Sequence, residues 1–382
     1  MVKKYSKKVK SKAKFKVEKK EKKSVARASS SLKRQKKPKK EDNHHKFLLH
    51  DVLKFEDILS KVIPIKGGKY GVLSESGEFV IFSINTKKEI KCELSFNVIG
   101  ANSFCQLGNG LFVFNSFNYV SFWELKGTKL NKLAEYQTIC GLVVYSMEPI
   151  DDKYCAISGP SNTIELVRCT KAKKLPVIFL NYQKFKSKRK KDKKNLVDQF
   201  PEGIGCLYYQ KKTKKLLATH FSNILRVWNC DFKKNNFELF KEVEYISNFA
   251  GKIIQEMKDK ILIGGKDIIT ILNNNTYEIT DFIDLGNFGY DIFSMEIINY
   301  YDFKEFVVCG LRNGKILGVD IINKKIEFSK QKINNTGKDN EMNVKDGKLS
   351  FYGENVCSIS KVENKNMILV ASHDHTLKLI EY

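Results

Sequence analysis

His373 and His375 stand on either side of Asp374 in the stretch 372-SHDHTLKLIEY-382. Two imidazoles two positions apart on an extended segment share a face, which is the beginning of a divalent-metal site. No third ligand is visible in the sequence, and turns use His and Asp for local hydrogen bonds, so the triplet reads as a turn. His44, His45 and His50, between a basic segment and an apolar one, read as solvent-facing. Gly-Gly-Lys occurs at 67–69 and again at 264–266. A phosphate loop needs G-x-x-x-x-G-K followed by Ser or Thr. Ile63 and Lys260 hold the place of the first glycine, and Tyr70 and Asp267 follow the lysines, so both stretches read as turns. The nine cysteines are scattered with no CxxC pair, and Cys309 and Cys357 lie inside apolar runs. They read as small buried hydrophobes of a reducing compartment. The sequons at Asn274 and Asn334 read as turns or loops. Acids are dispersed and no nucleophile adjoins a base, so the sequence predicts neither catalysis, nor a metal, nor a cofactor.

The elements that carry these residues follow from charge and periodicity. No apolar run is long enough to cross a bilayer, and MVKKYSKKVK has no apolar segment behind it, so neither a membrane span nor a secretory signal is expected. The net charge is +25, of which residues 1–46 hold +16 and 184–195 hold +7, leaving +2 for the remainder. A near-neutral body therefore carries two basic appendages. The segment 1–43 is too uniformly charged, with too little apolar area, to order itself, and is expected to be a disordered Lys-rich tail.

Over 44–382 one pattern recurs: a turn of small or polar residues, an alternating apolar strand, a polar exit. It appears in 74-SESGEFVIFSIN-85, 115-NSFNYVSFWELK-126, 159-GPSNTIELVRCT-170, 220-HFSNILRVWNCD-231, 264-GGKDIITILNNN-275, 311-LRNGKILGVDII-322 and 372-SHDHTLKLIEY-382. Aligned on one large apolar residue, the anchors are Phe82, Trp123, Val167, Trp228, Leu272, Val319 and Ile380. Their spacings are 41, 44, 61, 44, 47 and 61 residues. Four of these are near the roughly 40–45 residues of a four-stranded propeller blade. The two long intervals contain insertions, a basic loop at 184–200 and a polar loop at 331–347. Other apolar strands, such as GVLSES, ILVAS, FSMEII and KIEFSK, flank the turns and anchors. The prediction is an all-β, seven-bladed propeller.

These residues resemble the turn and third strand of a WD40 repeat. Asp374 takes the place of the turn aspartate and Ile380 that of the usual Trp, while 119-YVSFWE-124 and 224-ILRVWN-229 keep the Trp. The resemblance runs over about residues 46–382. Asp374 and the seven anchors are then structural repeat positions, and the propeller faces are implied to bind other proteins. The last blade supplies three strands, 355-NVCSISKV, 367-MILVASHD and 376-TLKLIEY, and needs a fourth to protect its edge. The stretch 46-KFLLHDVLKFED-57 can supply it, although Phe47, Leu48, Val52, Leu53 and Phe55 also fit one face of a short helix.

Lys33, Arg34, Lys36, Lys37, Lys39 and Lys40 in the tail resemble a basic nuclear localisation signal, and their lysines suit RNA phosphates equally well. Lys188, Arg189, Lys190, Lys191, Lys193 and Lys194 extend the basic character to the loop before the fourth blade. Connections from an outer strand to the next inner strand share one face, whereas the tail enters an outer strand from its start, at the opposite face. The sequence therefore suggests a monomeric, non-catalytic scaffold within a larger complex. It would act in the nucleus or nucleolus, in ribosome biogenesis, with protein partners on its faces and RNA on the basic segments. The alternative is a cytoplasmic or chromatin-associated interaction module whose tail serves only localisation or solubility.

Overall fold

The computed structural model describes residues 48–141, 143–169, 175–181, 203–247, 251–286, 291–300, 303–312, 314–326, 342–345, 348–351 and 355–382. Seven antiparallel sheets follow one another along the chain, each beginning with an inner strand and ending with an outer one. The inner strands are Leu59–Ile65, Ser103–Gln106, Ser146–Pro149, Ile204–Gln210, Ile253–Met257, Ile292–Tyr300 and Val356–Lys361, and each neighbours the next around the ring. Blade 7 ends with Thr376–Glu381 as its third strand. Beside that strand, Leu48–Lys54 runs antiparallel, with Leu48 opposite Glu381 and Lys54 opposite Thr376. No helix occurs among the described residues.

All seven anchors lie in third strands, opposite Tyr70, Phe112, Cys155, Leu216, Ile261, Val307 and Ile368 of the second strands. Six are buried, and Trp123 is half-buried. Beside them is a repeat with no sequence signature. In blades 1, 2, 4 and 5 the outer strand bulges by one residue against the anchor, at Glu93, Leu133, Phe240 and Thr280. Blade 7 bulges at the same level, at His50, against Leu379 and Ile380. A bulge sharpens strand twist locally, so its recurrence gives the outer strands a common coil.

The core lies between blades, where the flanks of adjacent sheets interdigitate. Between blades 1 and 2 it is aromatic: Phe79 meets Phe104 edge-on at 4.9 Å and Phe114 at 5.0 Å. Gly71 lets these rings approach, since a Cβ there would lie 2.9 Å from Phe79 and 3.0 Å from Phe104. Each fully buried ring contributes about 2–3 kcal/mol of transfer free energy.

Two expectations need correction. His50 is largely shielded from solvent: its Nε2 lies 2.5 Å from Glu381 Oε2, and Lys88 reaches Glu381 Oε1 at 2.6 Å. In blade 6 the outer strand is described over Lys325–Ile326, and the remainder of the expected KIEFSK strand lies outside the described residues. The polar insertion there is not simply a loop. Met342–Lys345 and Lys348–Phe351 form a hairpin, whose second strand pairs with Lys315 and Ile316.

Candidate interaction faces

Alternating strand direction sorts the connections. Turns between inner and second strands, and between third and outer strands, lie on one face, termed lower here. Turns between second and third strands, and links to the next blade, lie on the other, the upper face. Among the described residues, the lower connections hold twelve lysines and six acids, whereas the upper connections hold three basic residues and six acids. Among these described connections charge is separated across the disc, while the upper link from blade 3 to blade 4 contains the insertion 184–195 with its +7.

Part of the upper face, from the link after blade 1 to the turn of blade 3, has a second property. The consecutive connections 98–102, 117–118, 138–145 and 159–162 contain no charged residue, and the link that follows them holds the basic insertion 184–195. On them Ile99 is 87% exposed, Phe117 69% and Ile139 66%, with Val143 and Tyr145 also exposed. A groove of about 360 Å³ opens beside Ile99, walled by Val98, Phe114, Tyr119 and Trp123 and closed at its rim by Lys132 and Glu135.

Buried polar groups hold these side chains outward. Glu165, fully buried in the third strand of blade 3, accepts hydrogen bonds from the Tyr136 hydroxyl (2.6 Å), the Thr138 hydroxyl (2.6 Å) and the Ile139 N–H (2.8 Å). Burial and this carboxylate together push the Tyr136 hydroxyl well above its ordinary pKa. The 138–145 connection is thus pinned at its start, and Ile139 is turned to solvent. Tyr145 leans on Phe221 of the next blade at 5.4 Å. Beneath them the buried Arg226 guanidinium bonds Glu242 and Asn162, both at 2.8 Å.

The central channel carries two carboxyls of unusual basicity. Burial pushes Glu148 up to about 7, against the opposing pull of the Tyr209 N–H, Lys61 and Lys211. Glu296 is raised to about 7 for the same reason, against Lys361.

The chain superposes on the crystal structure of the WD40 beta propeller domain of Doa1 with a TM-score of 0.60, covering 88% of this chain and 97% of that one. The fold of this protein is the WD40 propeller. Identity over the match is 12%, so the likeness is one of fold. No family model and no curated protein matches the sequence.

Within the WD40 propeller, the residues singled out from the sequence divide cleanly. Lys33, Arg34, Lys36, Lys37, Lys39 and Lys40, with Lys188, Arg189, Lys190, Lys191, Lys193 and Lys194, lie outside the described residues, as do His44 and His45. Asp374 is a turn residue: its carboxylate accepts from the Thr376 N–H at 3.1 Å and pairs with the buried Lys378 ammonium. His373 and His375 take separate partners, Asn355 and the Glu56 carbonyl, and His375 adopts a left-handed φ of 63°. No group of three metal-ligating side chains forms among the described residues. The two tryptophans differ. Trp123 Nε1 donates to Ser121 Oγ at 2.8 Å, while Trp228 Nε1 is buried without a partner, because Arg226 occupies the place of Ser121 and has no acceptor. Glu165 and the sorting of lysines by face escaped the sequence reading. The missing signal was strand direction, which assigns each turn to a face.

Proposed function

We propose that this WD40 propeller is a non-catalytic scaffold that docks a protein partner on the uncharged upper connections 98–162 of blades 1–3. The observation that carries this reading is the exposure of Ile99, Phe117 and Ile139 on connections without a single charge. Exposed apolar residues gathered on one polar-rimmed face mark interaction sites, and here buried anchors hold them in place before binding. The complementary partner surface is apolar and weakly charged.

The basic segments 1–43 and 184–195 support a finer reading, a place in the nucleus or nucleolus and contact with RNA during ribosome assembly. The test is affinity purification with crosslinking from cells, using the full chain and the Ile99→Asp/Phe117→Asp/Ile139→Asp variant. A defined protein set lost from the variant, at unchanged melting temperature, is expected. Recovery of the same set would refute docking on this sector. Purely cytoplasmic fractionation, with no RNA recovered by the full chain, would refute the finer reading alone.

A further inference from the structure

The lower face of blade 4 concentrates positive charge more than any other part of the described propeller. Its inner-to-second turn carries Lys211, Lys212 and Lys214, and its third-to-outer turn carries Lys233 and Lys234, all exposed. Among the described residues none of these five ammonium groups forms an ion pair. The nearby acid, Asp231, is engaged by the backbone: its Oδ1 accepts the N–H groups of Lys233 at 3.0 Å and Lys234 at 3.1 Å. Those bonds fix the turn, and both lysines stand exposed.

Between this cluster and blade 3 lies an aromatic ledge. Phe232, in the same turn as Lys233, packs on Tyr154 of blade 3 at 4.8 Å, backed by Phe237 at 5.2 Å. Tyr154 and Phe232 are both half-buried, so each ring keeps part of its surface in solvent. The Arg168 guanidinium lies 5.8 Å from the centre of the Tyr154 ring, and its Nε has no hydrogen-bond partner. Lys153 stands exposed one residue before Tyr154.

We infer that the lower rim of blades 3 and 4 binds single-stranded RNA, with backbone phosphates on Lys211, Lys212, Lys214, Lys233 and Lys234 and a base against the Tyr154–Phe232 ledge. Exposed lysines outside ion pairs release bound counterions when phosphates replace them, which supplies affinity without sequence choice. Partly exposed aromatic rings, with lysines on the blade 4 side and Lys153 beside Asp151 and Asp152 on the blade 3 side, add base stacking that polyglutamate lacks. Leu48 stands on this same face, opposite Glu381, so the basic segment preceding it is joined to the protein at the lower side. The inference rests on the RNA contact proposed above but assigns it to the propeller surface itself.

The experiment is fluorescence anisotropy of the full chain with a labelled single-stranded oligouridylate across a salt series. It compares a variant with the five blade 4 lysines changed to Gln and a variant with Lys33, Arg34, Lys36, Lys37, Lys39 and Lys40 changed to Gln. The turn lysines are solvent-exposed, so the first variant retains its fold, checked by melting temperature. Losing about four phosphate contacts lowers the slope of log K against log salt by about 3, and affinity at low salt falls at least about tenfold. Crosslinks from 4-thiouridine are expected at Tyr154 or Phe232. A blade 4 variant with unchanged affinity and slope, beside a tail variant that no longer binds, overturns this inference and leaves the tail as the RNA element. Absence of binding by the unaltered chain overturns both. Equal competition by polyglutamate of matched length overturns the assignment to RNA.

Discussion

Replacing Glu165 with Leu removes a fully buried carboxylate that three donors share, and its consequences can be worked from those bonds. The Tyr136 ring is half-buried, so its hydroxyl can turn to water at little cost. Thr138 is 3% exposed, and its hydroxyl, which also accepts the Cys140 N–H at 3.1 Å, retains only Cys140 Sγ at 2.9 Å as an alternative acceptor. The Ile139 N–H has no second acceptor among the described residues. Each buried donor left unsatisfied costs about 1–3 kcal/mol, against which stands the relief of no longer desolvating a charge. The expected net loss is about 2–4 kcal/mol, a fall of several degrees in Tm for a domain of this size. Glu165→Gln keeps an acceptor for Thr138 and Ile139 and should lose less than half as much. The assay is thermal unfolding of both variants, combined with hydrogen exchange over 138–145. Faster exchange in that connection and weaker partner capture by Glu165→Leu are expected together. A Leu variant with wild-type Tm and unaltered exchange would show that the carboxylate does not hold the upper sector, and the reasoning fails.

Four further outcomes follow. Trp228→Ala should cost about 3–5 kcal/mol in chemical denaturation, as for a buried aromatic; wild-type stability would contradict the strand register. Trp228→Phe should be milder than that, since it also removes an N–H that has no partner, and equal losses for Phe and Ala would refute this. Glu148→Gln should be stabilising by about 1–2 kcal/mol at pH 8 and nearly neutral at pH 5. A carboxyl raised to about 7 in the folded chain contributes stability that is fully present below its unfolded pKa. That stability is lost as pH rises through 7, so a Tm difference independent of pH would sink the assignment. Cys206 and Cys309, whose thiols burial pushes up to about 12, should resist alkylation at pH 8 until denaturant is added, which mass spectrometry can follow.

The fold was legible because alternation and turn chemistry repeat even where side chains do not. Phe82, Val167, Leu272 and Ile380 share little except an apolar body, yet each sits at the same level of a third strand. What the sequence concealed is geometric. The outer-strand bulge falls on Glu93, Leu133, Phe240, Thr280 and His50, five unrelated residue types, because a bulge is a backbone register shift that any of them tolerates. The candidate faces were hidden by addition. Lys211 and Lys212 count the same as Lys252 in a net charge, although the first two lie on the lower face and the third on the upper. Glu165 went unnoticed because a lone acid in an apolar strand carries no pattern; only the fold brings Tyr136, Thr138 and Ile139 onto it.

Separation of charge between the two faces has a consequence for motion. With the +16 of residues 1–46 entering at the lower side and the +7 of 184–195 in an upper link, the lower side still holds the larger positive charge, and the disc carries a charge asymmetry along its axis. Near a polyanion it rotates before it touches, turning its lysine side inward while the pair is still about a Debye length apart, roughly 8 Å at physiological salt. Encounters are then oriented rather than random, and the uncharged apolar sector is left facing away into solvent, open to a second molecule throughout the approach.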